Sequence, residues 1–489
     1  MSQPLPRLPF QIDSSPFPRL RTSLLMVGLL TLAACAQMPE LGAMPQIKSA
    51  EKWEASQSLA APEQAWLPER WWQSYGDAQL DALIDDALAG SPSLRAAEAR
   101  LRRAEAGVQT ADSATGPQVS ANASAEEAKQ SYNLLMPRSA LPDGWKDYGR
   151  MTLDFSWELD FWGRNRAALA AATSERHAVA ADAAQARLML STSVASAYAE
   201  LARLHAARDT AAAAVEVRSK TCALFHQRYA NGLETLGSVR QADSRMAGAQ
   251  GELLAADEQI ALLRNRIAAL LGAGPDRGLA IARPTIKLDR APGLPEKLAL
   301  NLLGRRPDVV AARLRAEAAA KRIDAARAEF YPNVNLSAFI GVQSLGLDKL
   351  FKSGSDIGSV GPAISLPIFN GGRLKAQVKG RRADYDEAVA NYEATVTEAL
   401  HEVADSAVSW RALAGQLDRC QAAVAAAREA WQIARNRYDG GLSNYLDVLT
   451  AEDALLASQR QLSDLQSRAF SIDVAMARAL GGGFRSDKS

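Results

Sequence analysis

The sequence predicts a mainly α protein with a small β part, built from an internally duplicated unit of long coiled-coil helices plus two strand pairs. Three observations predict it: Pro and Gly punctuation that occurs twice, two breaker-free stretches of 66 residues, and short alternating segments ahead of each stretch. Pro92 and Pro117 lie 25 apart, as do Pro307 and Pro332, at an offset of 215. Tyr229-Ala230-Asn231-Gly232-Leu233 matches Tyr438-Asp439-Gly440-Gly441-Leu442, and Leu271-Gly272 matches Leu480-Gly481, both at an offset of 209. Each unit therefore reads helix, strand pair, very long helix, Gly turn, helix, and a Pro-rich connector joins the two. The implied partition is 1–34 signal peptide, 35–90 N-terminal segment, 91–272 first repeat, 273–305 connector, 306–481 second repeat and 482–489 tail.

The strands come from alternation. Met151, Leu153, Phe155 and Trp157 alternate with Thr152, Asp154, Ser156 and Glu158, and Val334, Leu336, Ala338 and Ile340 behave likewise. Residues 119–125 and 360–366 supply the second member of each pair, more weakly, because Ala and Gly dilute the pattern. A soluble sheet would alternate in the same way, but stretches near ten residues suit a transmembrane strand. Four strands cannot close a barrel, since single-chain barrels begin at about eight and lipid does not tolerate open edges. Several chains must share one barrel, and a conduit favours three copies over two because eight strands enclose only a filled interior.

The helices are too long for a small compact domain. Residues 164–229 and 373–438 contain no Pro, so at about 1.5 Å per residue each would reach roughly 100 Å. Tyr385, Val389, Tyr392, Val396, Leu400, Val403, Ala407 and Trp410 form one packing stripe. In the returning helices Val448, Leu455, Leu462, Ala469 and Met476 recur every seven residues, and Val239, Met246, Leu253, Ile260 and Ile267 repeat this. Small residues three positions later let neighbouring helices approach closely.

At the N-terminus Arg19 and Arg21 precede a short apolar run over 24–32, a secretory signal too short to span a bilayer. Leu32-Ala33-Ala34-Cys35 resembles a bacterial lipobox, which would make Cys35 the lipidated first residue of the mature chain; Ala36, in place of an inner-membrane retention Asp, implies outer-membrane delivery. Three cysteines are too few for a disulfide scaffold, and Cys222 and Cys420 read as small buried apolar side chains. Lys and Arg total 56 against 55 Asp and Glu, so no net field draws the chain to nucleic acid. His177, His205, His226 and His401 have no second ligand at metal spacing on the same helical face, so no metal site is expected. No nucleotide or nucleophile motif occurs, Gly371-Gly372 lacks the Lys-Ser/Thr of a phosphate loop, and no enzyme is expected.

Several segments, in order and spanning nearly all of the mature chain, resemble the TolC-type outer membrane factor family, in its lipoprotein branch. They are Trp71-Trp72 with Tyr75 and Leu80; Trp157-Glu158-Leu159-Asp160-Phe161-Trp162-Gly163-Arg164; Arg305-Arg306-Pro307-Asp308 with Phe330-Tyr331-Pro332; and Gly361-Pro362 through Leu366-Pro367-Ile368-Phe369-Asn370-Gly371-Gly372-Arg373. The resemblance implies a homotrimer with a 12-stranded outer-membrane β-barrel continued by a periplasmic α-helical barrel. It implies an exit channel for drugs or other small toxic compounds, partnered by a periplasmic adaptor and an inner-membrane transporter, set in outer-membrane lipid, with no cofactor beyond the lipid on Cys35. Protein-secretion outlet and non-conducting periplasmic spacer are the alternatives.

Phe161, Trp162, Gly163 and Arg164, like Phe369, Gly371, Gly372 and Arg373, sit where strand gives way to long helix: Gly permits the turn, aromatics suit a bilayer interface, and Arg can meet headgroups or cap carbonyls. The Gly232 and Gly441 turns mark the hairpin tips, which in the family converge to close the channel. Carried over, Tyr438 and Arg437, with Tyr229 at the matching place, are latch candidates, and Leu446 lies on the hydrophobic constriction. The family's acidic ring falls at Thr450, a departure, so Asp447, Glu452 or Asp453 is expected to supply the carboxylate.

Overall fold

The computed structural model of the chain describes residues 38–49, 52–54, 57–59, 64–133, 137–286, 294–295 and 298–486. The signal peptide expected over residues 1–34 and the candidate lipidation residue Cys35 lie outside them. In order come α1 (Ala78–Gly90), α2 (Pro92–Ser113), β1 (Gln118–Ala128), β2 (Lys146–Glu158), α3 (Arg164–Ala230), α4 (Leu236–Leu270) and the short α5 (Asp276–Leu279). The second half adds α6 (Leu298–Arg305), α7 (Pro307–Ala328), β3 (Asn333–Leu345), β4 (Asp356–Ser365), α8 (Arg373–Asp439) and α9 (Tyr445–Ala479). The duplication is exact in helix length: α2 and α7 have 22 residues each, α3 and α8 have 67, and α4 and α9 have 35.

The repeats are units of sequence and not of space. The chain divides into two compact units, one of residues 1–44, 109–171 and 319–385, the other of 45–108, 172–318 and 386–489. Each repeat contributes its strand pair to the first unit, because β2 pairs with β3 from Tyr148↔Leu345 to Glu158↔Asn335 and fuses both pairs into one antiparallel sheet, β1-β2-β3-β4. The weaker strands run further than the alternation predicts. β4 starts at Asp356 and not at residue 360, and its ladder to β3 runs from Val342↔Asp356 to Asn333↔Ser365, since pairing with a strong strand overrides the dilution by Gly and Ala. In the same unit Phe330, Leu374, Val378 and Ala326 form a small core.

The second unit holds the principal hydrophobic cluster. Trp71, Tyr75 and Leu80 are fully buried there with Ile84, Tyr198, Tyr392 and Ile267, so the aromatic motif at the start of the chain is a core plug. Tyr75 packs edge-to-face on Phe470 and its hydroxyl donates to Asp473 Oδ2 at 2.6 Å. Asp77 caps α1: Oδ1 accepts from Gln79 N and Leu80 N, and Oδ2 from Tyr198 Oη at 2.9 Å and Thr285 N at 2.8 Å. Burial pushes this carboxyl up, but those donors outweigh it and hold it below the usual carboxylate range.

The buried Arg306 of the Arg-Arg-Pro-Asp motif meets Asp308 and Glu402, each at 2.5 Å, and Glu402 also pairs with Arg478. That network ties the start of α7 to α8 and α9. The heptad positions are buried or half-buried: Val239, Ala242, Ala249, Ile260, Leu263 and Ile267 of α4 and Val448, Leu455, Ile472 and Ala479 of α9 are buried, while Met246, Leu253, Leu462 and Met476 among others are half-buried.

Candidate functional site

Two sites emerge, one in each unit. The first is the sheet's apolar face. Antiparallel register places directly opposed residues on one side, so Ala121↔Leu153, Leu153↔Ile340 and Ile340↔Gly358 align a single face across all four strands. Val119, Met151, Leu153, Trp157, Ile340, Val360 and Ile364 line that face, and all are exposed, Val360 at 77%. The opposite side carries Asn122, Asp154 and Thr152, where Asp154 accepts from the other two at 2.8 and 2.7 Å. β1 and β4 each leave one edge unpaired. An apolar face of this extent in water would be an aggregation hazard; against acyl chains it is the stable arrangement.

Exposed aromatics stand at both ends of the strands. Trp145 precedes β2 and Phe351 follows β3, while Phe161, Trp162, Tyr331 and Phe369 cluster at the other end. Trp162 stacks on Tyr331 at 4.6 Å and its Nε1 donates to Pro332 O at 2.9 Å. The junction glycines turn as expected, with φ +76° at Gly163, +58° at Gly371 and +85° at Gly372. The junction arginines do something else: Arg164 pairs with Glu158, and Arg373 reaches Gln377 at 3.2 Å and Glu329 at 3.9 Å, so carboxylates and an amide hold them, not helix carbonyls.

The second site is the pair of hairpin reversals. Gly232 (φ +71°) and Gly441 (φ +70°) close identical turns, in which Leu233 N donates to Arg228 O and Leu442 N to Arg437 O. Thr235 then caps α4 through Ser238 N and Asn444 caps α9 through Asp447 N. The side chains of the two reversals differ. Tyr229 is 45% exposed, whereas Tyr438 is 8% exposed, edge-on to Tyr445 at 5.1 Å with the Arg228 guanidinium 5.1 Å from its ring centre. The Tyr438 hydroxyl is buried and has no hydrogen-bond partner among the described residues. Arg437 is exposed, and so are Leu233, Leu442 and Leu446, the last at 54%.

The three carboxylate candidates separate. Asp447 is exposed in the first turn of α9, and so is Thr450, whose hydroxyl donates to Leu446 O. Glu452 is 4% exposed, with Arg218 Nε 3.6 Å away, and burial pushes its carboxyl above the usual range against the pull of Arg218. Asp453 accepts from Arg218 at 3.0 Å and Arg245 at 2.8 Å. Glu452 and Asp453 therefore link α9 to α3 and α4, Glu452 from a buried position and Asp453 from a half-exposed one. Sequence reasoning missed Arg218 and Arg245 because charged residues on a long helix look like a solvated face until the partner helix is placed.

It also missed a cluster. Cys222 and His226 are four apart on α3, hence on one helical face, and with Asp243 of α4 they bring three ligand atoms within 4.8 Å of one another. That corrects the expectation that no histidine has a second ligand at metal spacing.

Known proteins resemble this chain along most of its length. The family model described as outer membrane efflux protein matches residues 83–273 and 298–482. The multidrug resistance outer membrane protein MdtQ of Escherichia coli O6:H1 is 32% identical over 472 residues, covering 94% of this chain and 97% of that protein. The fusaric acid resistance protein FusA of Burkholderia cepacia is 37% identical over 372 residues, covering 74% of this chain and 69% of its own length. Among solved structures, the outer membrane protein VceC of Vibrio cholerae superposes with a TM-score of 0.82 at 52% identity, covering 86% of this chain and all of that one. The outer-membrane channel OprN gives 0.81 at 29% identity, covering 92% and 99%.

Proposed function

This chain belongs to the outer membrane efflux protein family, and from that premise we propose that it is the outer-membrane exit channel of a tripartite efflux system, passing small toxic compounds outward. The observation that carries the proposal is the four-stranded sheet with one exposed face that is apolar over its middle rows, from Val119 and Leu153 to Ile340 and Val360, and two open edges. Backbone groups on an open edge cannot be left unpaired in hydrocarbon, so copies must join edge to edge. Three copies make 12 strands and leave a lumen, with the aromatics at the strand ends lying at the two bilayer interfaces. Among the described residues no helix is long and apolar enough to cross a membrane. The sheet carries the crossing.

The architecture continues, in this proposal, as a periplasmic helical barrel ending at the Gly232 and Gly441 reversals, where a periplasmic adaptor releases the closed tip and an inner-membrane transporter supplies the energy. Cys35 carries the lipid. The relatives named for multidrug and fusaric acid resistance favour small-molecule export over protein secretion, and the apolar sheet disfavours a soluble spacer. Single-channel recording of purified protein in planar bilayers, with crosslinking to count subunits, tests the reading. Discrete low-conductance openings from a trimer are expected; a monomer that leaves bilayers intact overturns it.

A further inference from the structure

From Cys222, His226 and Asp243 we infer a binding site for one borderline divalent transition-metal ion of the Zn2+ class, clamping α3 to α4 next to the first hairpin reversal. Cys222 Sγ donates to Asp243 Oδ1 at 3.2 Å, and His226 Nε2 lies 2.8 Å from the same oxygen. Arg240 occupies the other oxygen, Oδ2, at 3.2 Å, which leaves Oδ1 as the coordinating atom and fixes the carboxylate's orientation. Bond lengths near 2.3 Å to sulfur and 2.0–2.2 Å to nitrogen and oxygen require ligand atoms about 3.3–3.8 Å apart in a tetrahedron. The present separations, all within 4.8 Å, bracket that range.

The donor set chooses the ion. Thiolate with imidazole selects zinc-like metals over calcium or magnesium, which take oxygen ligands. Cys222 is 5% exposed against Phe225, Val239 and Ala242, while the His226 side chain is 54% exposed, so the ion meets a dry inner wall and an open outer side where water completes the fourth position. Binding displaces the Cys222 thiol proton to solvent and involves no redox step.

The duplication supplies an internal contrast. At an offset of 209, the counterparts of Cys222, His226 and Asp243 are Trp431, Arg435 and Glu452, where the guanidinium of Arg435 lies 5.6 Å from the Trp431 ring centre. The hairpin backbone therefore does not require the triad.

The test is titration of metal-free full-length protein with Co2+, read by absorption spectroscopy and independent of conduction. One Co2+ per chain is expected, with a thiolate charge-transfer band that Zn2+ abolishes by displacement. Cys222→Ser should remove the band, and His226→Ala, at an exposed side chain that leaves packing intact, should lower affinity by more than the roughly tenfold that loss of an outer-shell partner costs. Cys420→Ser should change nothing. A folded wild-type protein without the band, or a band that survives Cys222→Ser, overturns the site.

Discussion

The two hairpins share a backbone and differ in what their side chains hold. α3–α4 and α8–α9 have equal lengths, reverse through the same glycine turn and keep the same heptad seam. Yet Tyr229 is open where Tyr438 is buried, and Asp243 faces its own hairpin where its counterpart Glu452 faces Arg218 of the other. At this one matched position the first hairpin bonds within itself, while the second reaches across to the first. The shared backbone geometry thus carries different side chains at matched positions, an internal thiol–imidazole–carboxylate cluster in one copy and a link to the other hairpin in the second.

The widest gap between the copies should appear on truncating the matched tyrosines. Tyr438→Ala removes a buried ring in contact with Tyr445 and should cost about 3 kcal/mol, whereas Tyr229→Ala should stay within about 0.5 kcal/mol. Denaturant or thermal melts of the two variants compare them directly, and equal costs would break the asymmetry.

A somewhat smaller effect follows from Arg218→Met, and it should depend on pH. Glu452 already sits above its ordinary value because it is buried; without the guanidinium it rises further. A carboxyl raised in the folded state favours folding below its unfolded value, near 4.3, and that contribution is lost as pH rises through the folded value. The variant should therefore lose little at acid pH and about 2–3 kcal/mol at pH 8, where the buried charge has lost its partner. A cost that is flat with pH would place Glu452 outside the link.

The finest test concerns the orphan hydroxyl of Tyr438. Among the described residues it has no partner, so Tyr438→Phe alone should leave the stability of a single copy nearly unchanged. Combined with Arg437→Ala it should loosen the closed tip, by about 1 kcal/mol for each hydrogen bond lost between copies, and raise single-channel conductance. Conductance at the wild-type level would remove both residues from the latch.

These asymmetries mark where sequence reasoning stops. Heptads, the paired Pro and Gly offsets and the alternation of Met151, Leu153, Phe155 and Trp157 report local periodicity, and local periodicity decides helix, strand and turn. Cys222 and His226 were also legible, four apart on one helix; Asp243 was not, because its place beside them depends on how α4 returns. Arg218 and Arg245 looked like scattered surface charge for the same reason, so the partners of Glu452 and Asp453 were not foreseen. Nothing in the first repeat announces that its strand pair joins the second repeat's in one sheet.

The sequence by itself determined the duplicated order of elements, the lengths of the helices, the positions of the reversals and the apolar side of every strong strand. Only the tertiary structure decided that β2 pairs with β3, that Glu452 is buried against Arg218, that Tyr438 is covered while Tyr229 is open, and that a thiol, an imidazole and a carboxylate meet. The physical reason is range. Backbone propensity and side-chain period act over a few residues, whereas pairing, burial and coordination are set by contacts between segments as much as 398 residues apart.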